Sequence, residues 1–292
     1  MISNFIDWNP NPDIFTIPGI DWPVRWYGLL WAVAFILSFV VMNKVYQTEG
    51  RTAKQLDMLT IYIIVGTVLG ARVGHYLFYE PDLLFSDPWE WFVSMITPPF
   101  SGLASHGGAL GIIIAMILYC RKTKERQLWL FDRMVIVVPV AGMCIRLGNL
   151  INGEIVGSVT NVPWAFLFNN NDVDHINLMH RGIPVPPRHP AQLYEAVFCL
   201  ILFFVMFWLW KSKRNKVGPG FMFGIFCVLL FTERFIDEFF KVEQVEFEQG
   251  MALNMGQILS IPFIIIGCIM MLRSRKLEKY AAREISNQEP IQ

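Results

Sequence analysis

The chain has 292 residues, of which 54% are hydrophobic and only 16% charged, with 24 Lys and Arg balanced by 24 Asp and Glu. That is the composition of a membrane protein, and a net charge of zero without a basic patch argues against nucleic acid as a partner. Five cysteines with no paired spacing argue against a disulfide framework and a zinc site, and neither a metal nor a cofactor is expected.

Apolar runs of roughly 20 residues are long enough to cross the hydrocarbon core as helices. The first 23 residues carry neither a positive n-region nor a small-residue cleavage site, so the first span, about 24–43, is expected to insert uncleaved. It opens on "RWYGLLW", which puts Tyr27 near its outer end. Span two, about 57–79, holds Gly66, Gly70 and Gly74 in "GTVLGARVG", a spacing that lets a neighbouring helix approach closely. Arg72 stands among them, either snorkelling to the headgroups or facing a cavity. The connection at 80–103, with "PDLLFSDPWEWF", has the aromatic content of a segment lying along the headgroups.

Span three, about 104–120, begins with "SHGGALG". His106 directly precedes Gly107 and Gly108, whose missing side chains permit close backbone approach by a ligand. An imidazole titrating near its ordinary value of about 6.5 can serve as a base.

Span four, about 131–150, ends in "CIRLGNLINGEIVG". A rotation of about 100° per residue places Gly142, Arg146, Asn149 and Gly153 on one face, a guanidinium and a carboxamide between two glycines that leave room beside them. A charge at that depth is costly. Either Arg146 pairs with a carboxylate on another helix while Asn149 hydrogen-bonds across the bundle, or the face looks into a pocket. Asn152, Gly153 and Glu154 fall at or beyond the helix end, where a carboxylate can orient a nearby Arg.

The connection at about 151–190 is rich in Asn, Asp, His and Pro, too polar for lipid and long for a linker; it is expected to form a small outer head segment. "PPRHPAQLYEA" then leads into span five, about 191–210, bringing Arg188, His189, Gln192, Tyr194 and Glu195. Its prolines suit a rigid approach followed by a helix start. Span six, about 219–240, reads "LLFTERFIDEFFK" near its end, with Arg234, Asp237, Glu238 and Lys241 on one side of the helix. Span seven covers about 254–272.

Lys and Arg collect in the first, third and fifth loops and in the C-terminal tail, whereas Arg25, Arg181, Arg188 and Lys241 fall on the other side. The asymmetry predicts an odd number of spans with the N-terminus outside and the C-terminus cytoplasmic. The expected fold is all-α, a single polytopic domain over 1–292 with seven transmembrane helices. No internal repeat is visible. Every polar cluster then lies at the outer level, and arginines gathered there suit an anionic ligand, above all phosphate. A phosphate reached from the bilayer at that depth belongs to a phospholipid.

These strings carry a resemblance. "WYGLLW", "GARVGHYLFY", "HGGALG", "RLGNLINGEIVG", "RHPAQLYEA", "RFIDEFF" and "MGQILSIPFIIIG", in this order, make the chain similar to the bacterial phosphatidylglycerol:prolipoprotein diacylglyceryl transferases over almost its whole length. The resemblance implies a seven-span inner-membrane enzyme with an outward-facing site. It implies transfer of the diacylglyceryl group of phosphatidylglycerol to the lipobox cysteine thiol in the signal peptide of a prolipoprotein, giving a thioether and releasing glycerol phosphate. By the same resemblance Arg146 and Arg234 bind the phosphate and headgroup, with Asn149, Asn152, Glu154, Gly157, Gly107, Gly108, Arg188, His189, Tyr194 and Glu238 shaping the site. Tyr27 and His106 lie close to the reacting centre. His106 is the candidate base, with His189 and an arginine-assisted thiolate as competitors. Lys241 stands where relatives often carry Arg.

Two other classes use the same residues differently. A lipid or solute transporter would bind an anion on these arginines during translocation, but would show broken helices in matching halves. A non-catalytic scaffold would leave the outer cluster without purpose.

Overall fold

The computed structural model describes residues 5–19, 21–97, 104–169, 184–241 and 253–286. Among them are nine α-helices: α1 (Trp26–Thr48), α2 (Ala53–Phe78), α3 (Pro81–Ser86), α4 (Pro88–Ile96), α5 (Ser105–Thr123), α6 (Gln127–Asn152), α7 (Ala191–Lys213), α8 (Phe221–Asp237) and α9 (Met255–Ser286). Five of these, α1, α2, α6, α7 and the Met255–Arg275 part of α9, are long and apolar enough to cross a membrane. The runs expected at about 104–120 and 219–240 are helices too, α5 with 19 residues and α8 with 17. The first is polar at both ends, from Ser105-His106 to Arg121-Lys122, and the second is short. The chain gathers into two compact units, one of Met1–Val40 with Asp132–Gln292 and one of Val41–Phe131.

In the Val41–Phe131 unit, α2 starts on a capping box in which Thr52 and Gln55 satisfy each other's backbone N–H. It crosses α5 at the glycines: a Cβ on Gly74 would stand 2.6 Å from the Gly107 Cα, and one on Gly66 would stand 2.7 Å from the Ala115 Cβ. The four-residue spacing thus brings two backbones into contact, as its packing face implies. Arg72 neither snorkels nor faces a cavity. It is buried, and its guanidinium donates to the carbonyl oxygens of Ser94 at 2.6 Å and Met95 at 3.2 Å, where α4 ends. These are orphan acceptors of a helix C-terminus, so the arginine caps α4 from another helix. The connection after α2 is therefore two short helices, each begun by a proline, with Asp87 capping α4.

In the other unit, α8 packs along α9, with Gly224 and Gly267 in mutual close approach and Phe231 stacked on Phe263 at 4.3 Å between centroids. The N-terminus of α8 receives its cap from α6: the Asp132 carboxylate accepts from the backbone N–H groups of Gly220 at 2.7 Å and Phe223 at 2.9 Å. At its far end α6 stops where Gly153 takes φ +67°, while Gly153 N–H reaches Leu150 O and Glu154 N–H reaches Asn149 O. That is the Schellman arrangement, and it needs a residue without a Cβ penalty at Gly153.

The all-α expectation holds for the helices but misses four short strands among the described residues. β1 (Ile6–Trp8) runs parallel to β4 (Phe166–Phe168), while β2 (Asp13–Ile17) and β3 (Trp22–Arg25) form a hairpin leading directly into α1. The Trp8 indole N–H donates to Leu150 O at the end of α6, 2.8 Å away. Residues 157–160 lie between two backbone partners, Pro187–His189 on one side and Phe240–Lys241 on the other. Backbone that has left a helix must still satisfy its N–H and C=O groups; here it does so by pairing segments distant in sequence. Residues 170–183, with Arg181, lie outside the described part of the head segment.

Candidate active site

The end of α6, the start of α7, the end of α8 and the start of α9 all bring polar residues to one cluster. Arg146 forms an ion pair with Glu195 of α7, whose other carboxylate oxygen accepts from Lys241 Nζ. Lys241, just beyond α8, also lies 3.0 Å from Asp237 and 3.7 Å from Glu238. Glu238 in turn stands 4.0 Å from the Arg234 guanidinium and accepts from Asn254 Nδ2 at 3.1 Å. One continuous ionic chain, Arg146 to Glu195 to Lys241 to Glu238 to Arg234, therefore joins the two arginines expected to share a ligand.

Of the two expectations for Arg146, the structure shows the ion pair with a carboxylate on another helix. The Lys241 side chain is 3% exposed and that of Glu195 6%. Burial disfavours the Lys241 ammonium, but the carboxylates of Glu195 and Asp237 outweigh it and hold its pKa above the ordinary lysine value. Arg234 is more open, at 35%.

The room expected beside Arg146 is otherwise used. A Cβ on Gly142 would come within 3.0 Å of Cys199 Sγ on α7, so that glycine seats a neighbouring helix, and Gly153 serves the helix cap. Gly148 was not anticipated. A Cβ there would stand 2.5 Å from Tyr27 Cδ2, so an edge of the Tyr27 ring is seated against α6 at Gly148.

Asn149 and Asn152 donate from their amides to the Glu154 carboxylate at 3.0 and 3.1 Å. Gln192 Nε2 donates to the Glu154 carbonyl oxygen. The three polar residues at the helix end thus organise one another and tie the turn to α7. Among the described residues Glu154 pairs with no arginine; its two oxygens accept from the two asparagines.

Gly157 sits where His189 and Phe240 converge: a Cβ would fall 2.5 Å from His189 O, 2.6 Å from His189 Cβ and 2.8 Å from Phe240 O. Arg188 donates to Gly157 O at 3.3 Å, and its backbone pairs with Phe166. The His189 ring packs edge-on against Phe240 and Tyr194. Its Nδ1 lies 3.1 Å from Tyr194 Oη, and that oxygen accepts from the Trp164 indole N–H at 2.8 Å. Partial burial pushes the imidazole pKa below the ordinary histidine value.

Tyr27, Arg146, Asn149, Asn152, Glu154, Gly157, Arg188, His189, Tyr194, Arg234 and Glu238 thus all fall in one compact unit. His106, Gly107 and Gly108 belong to the other. His106 is exposed in the first turn of α5; Gly107 makes its close approach to Gly70 and Gly74 of α2, and a Cβ on Gly108 would be in ordinary contact with Ala71. Glu195, Asp237 and Lys241 appeared in the motifs without a site role. Their signal is spacing: Gln192, Glu195 and Cys199 share a face of α7, and Lys241 follows Asp237 by four residues just beyond α8. Trp164 carries no signal in the sequence.

The chain as a whole matches known proteins. Residues 12–273 match the sequence model of the family described as Prolipoprotein diacylglyceryl transferase. A protein of Bacteroides fragilis named phosphatidylglycerol–prolipoprotein diacylglyceryl transferase is 44% identical over 274 residues, covering 91% of this chain and 94% of its own. Proteins of the same name from Tolumonas auensis and Vibrio cholerae are 39% and 36% identical, over 92% and 94% of this chain and 97% and 95% of theirs. With its motifs in order and the match running nearly end to end, the chain belongs to the prolipoprotein diacylglyceryl transferase family.

Proposed function

We infer that this protein transfers the diacylglyceryl group of phosphatidylglycerol to a prolipoprotein. The acceptor is the lipobox cysteine thiol of the signal peptide. Its sulfur attacks the glyceryl carbon bearing the phosphate ester; a C–S bond forms, the C–O bond breaks, and glycerol phosphate leaves. The thiol loses one proton and the departing phosphate can take one up, so the exchange balances without a cofactor.

The observation that carries the site is the ionic chain from Arg146 to Arg234. It supports one anion-binding locus rather than two separate arginines, and guanidinium groups suit a phosphodiester whose leaving oxygen gains charge. Asn149, Asn152, Glu154 and Gly157 form its wall, and Arg188, His189, Tyr194 and Glu238 its rim. Tyr27 approaches the reacting centre, and family resemblance makes His106, followed by Gly107 and Gly108, the candidate base.

The membrane arrangement we propose has seven spans, α5 and α8 joining the five longer helices, with N-terminus outside and C-terminus in the cytoplasm of a bacterial inner membrane. Loop Lys and Arg support that orientation. Family membership does not favour the transporter alternative.

The test incubates the purified protein with phosphatidylglycerol and a lipobox peptide, then weighs the peptide. It should gain one diacylglyceryl group; no gain, under conditions where an active relative modifies the same peptide, sinks the reading.

A further inference from the structure

Trp164, Tyr194 and His189 form a line of hydrogen-bonding groups from the head segment to the start of α7. An indole N–H can only donate, so the Tyr194 oxygen is an acceptor at its 2.8 Å contact with Trp164. The 3.1 Å contact between Tyr194 Oη and His189 Nδ1 then has two possible senses. If Nδ1 carried the proton, the tyrosine oxygen would accept twice, and its own proton would have no other acceptor shown among the described residues. If Tyr194 donates to a bare Nδ1, all three groups are satisfied. The polarity then runs one way, from indole to phenol to imidazole, and each bond strengthens the next.

The backbone holds the ring in that register. His189 N–H donates to Ser158 O at 3.0 Å, and its carbonyl accepts from Gly157 at 3.0 Å and Ala191 at 2.9 Å. The ring leans on Phe240 at 5.4 Å between centroids. Three backbone hydrogen bonds and the edge contact with Phe240 thus set where the imidazole stands.

We propose that Trp164 is a positioning residue which, through Tyr194, fixes His189 as the tautomer with bare Nδ1 and protonated Nε2. A neutral imidazole so held offers a donor, not a lone pair, at its remaining nitrogen. His189 is then excluded as the group that takes the thiol proton, and suits an anionic oxygen such as that of a phosphodiester. This consequence rests on the transferase reading; the tautomer itself does not.

The experiment is nitrogen NMR on full-length protein carrying labelled histidine in phosphatidylglycerol nanodiscs, at neutral pH. His189 is assigned by the resonances lost in His189→Gln. The expected wild-type spectrum shows an unprotonated Nδ1 and a protonated Nε2. Trp164→Phe, which keeps an aromatic ring but lacks the indole N–H, should yield a mixture of tautomers, and Tyr194→Phe a larger shift toward the other form. Peptide lipidation by Trp164→Phe should fall about fivefold, the scale of one orienting hydrogen bond. A protonated Nδ1 in the wild type overturns the proposal, as does a tautomer ratio unmoved by Trp164→Phe. A wild type inactive on the peptide but with bare Nδ1 defeats the transferase reading and leaves the tautomer standing.

Discussion

Gly157 and His189 touch through their backbones so closely that a Cβ on the glycine would stand 2.5 Å from the histidine carbonyl oxygen. The same Cβ would press on His189 Cβ and Phe240 O, and two of these three neighbours are backbone atoms that cannot swing aside. Gly157→Ala should therefore displace the strand-like segment that pairs with both His189 and Lys241. The expected loss is about 1–3 kcal/mol, the range for overpacking. Thermal unfolding in detergent should show a lower midpoint, with transfer reduced as well; an unchanged midpoint would mean the segment yields freely.

Lys241 is the cation shared by Glu195 and Asp237, all three nearly enclosed by protein. Lys241→Met leaves two buried carboxylates facing each other, a change expected to cost about 3–5 kcal/mol. Asp237→Asn alone should cost less, and combining the two should recover part of the loss. A double-mutant cycle by denaturant unfolding measures this; simple additivity would show that the two side chains are not coupled.

Arg146 supplies the guanidinium of the cluster at the end of α6. Arg146→Ala should lower peptide lipidation by at least about a hundredfold, the effect of losing a principal charge stabiliser. Glu195 retains Lys241 as a partner, so the variant should still reach the membrane. Near-normal activity in the membrane fraction would remove Arg146 from the site.

His189 gives a pH dependence of definite sign. Its folded pKa lies below the ordinary value of about 6.5 because burial disfavours the charged ring. The unfolded chain then binds more protons between the two values, so stability falls as pH drops through that window and the loss is complete below the folded pKa. Melting curves from pH 7.5 to 5 should show a steeper decline in wild type than in His189→Gln. Parallel declines would mean that the ring titrates alike in both states.

The helices were legible because apolar runs of membrane length leave few alternatives, and the expected spans overlap α1, α2, α5, α6, α7, α8 and α9. Their ends were less so. The run ending near 43 continues to Thr48 because a helix needs backbone hydrogen bonds, not apolar side chains, to go on into the polar region. Gly153 announced the end of α6, since a glycine after the last apolar turn is the usual stop. Contacts between distant segments were invisible. Nothing in one dimension tells that Arg72 caps α4, that Asp132 caps α8, or that Trp8 reaches Leu150. The polar cluster was legible as residue types near the ends of the expected spans. Its wiring was not, because Glu195 could have faced any of several cations.

Asp132 and Arg146 lie fourteen positions apart on α6, with Pro139 midway between them. One grips the start of α8 and the other the start of α7. Proline lacks the N–H that would close the helical ladder and tends to bend a helix. A rod clamped at both ends and notched at its centre yields at the notch. A bend that moves the Arg146 end relative to the Asp132 end meets least resistance at Pro139.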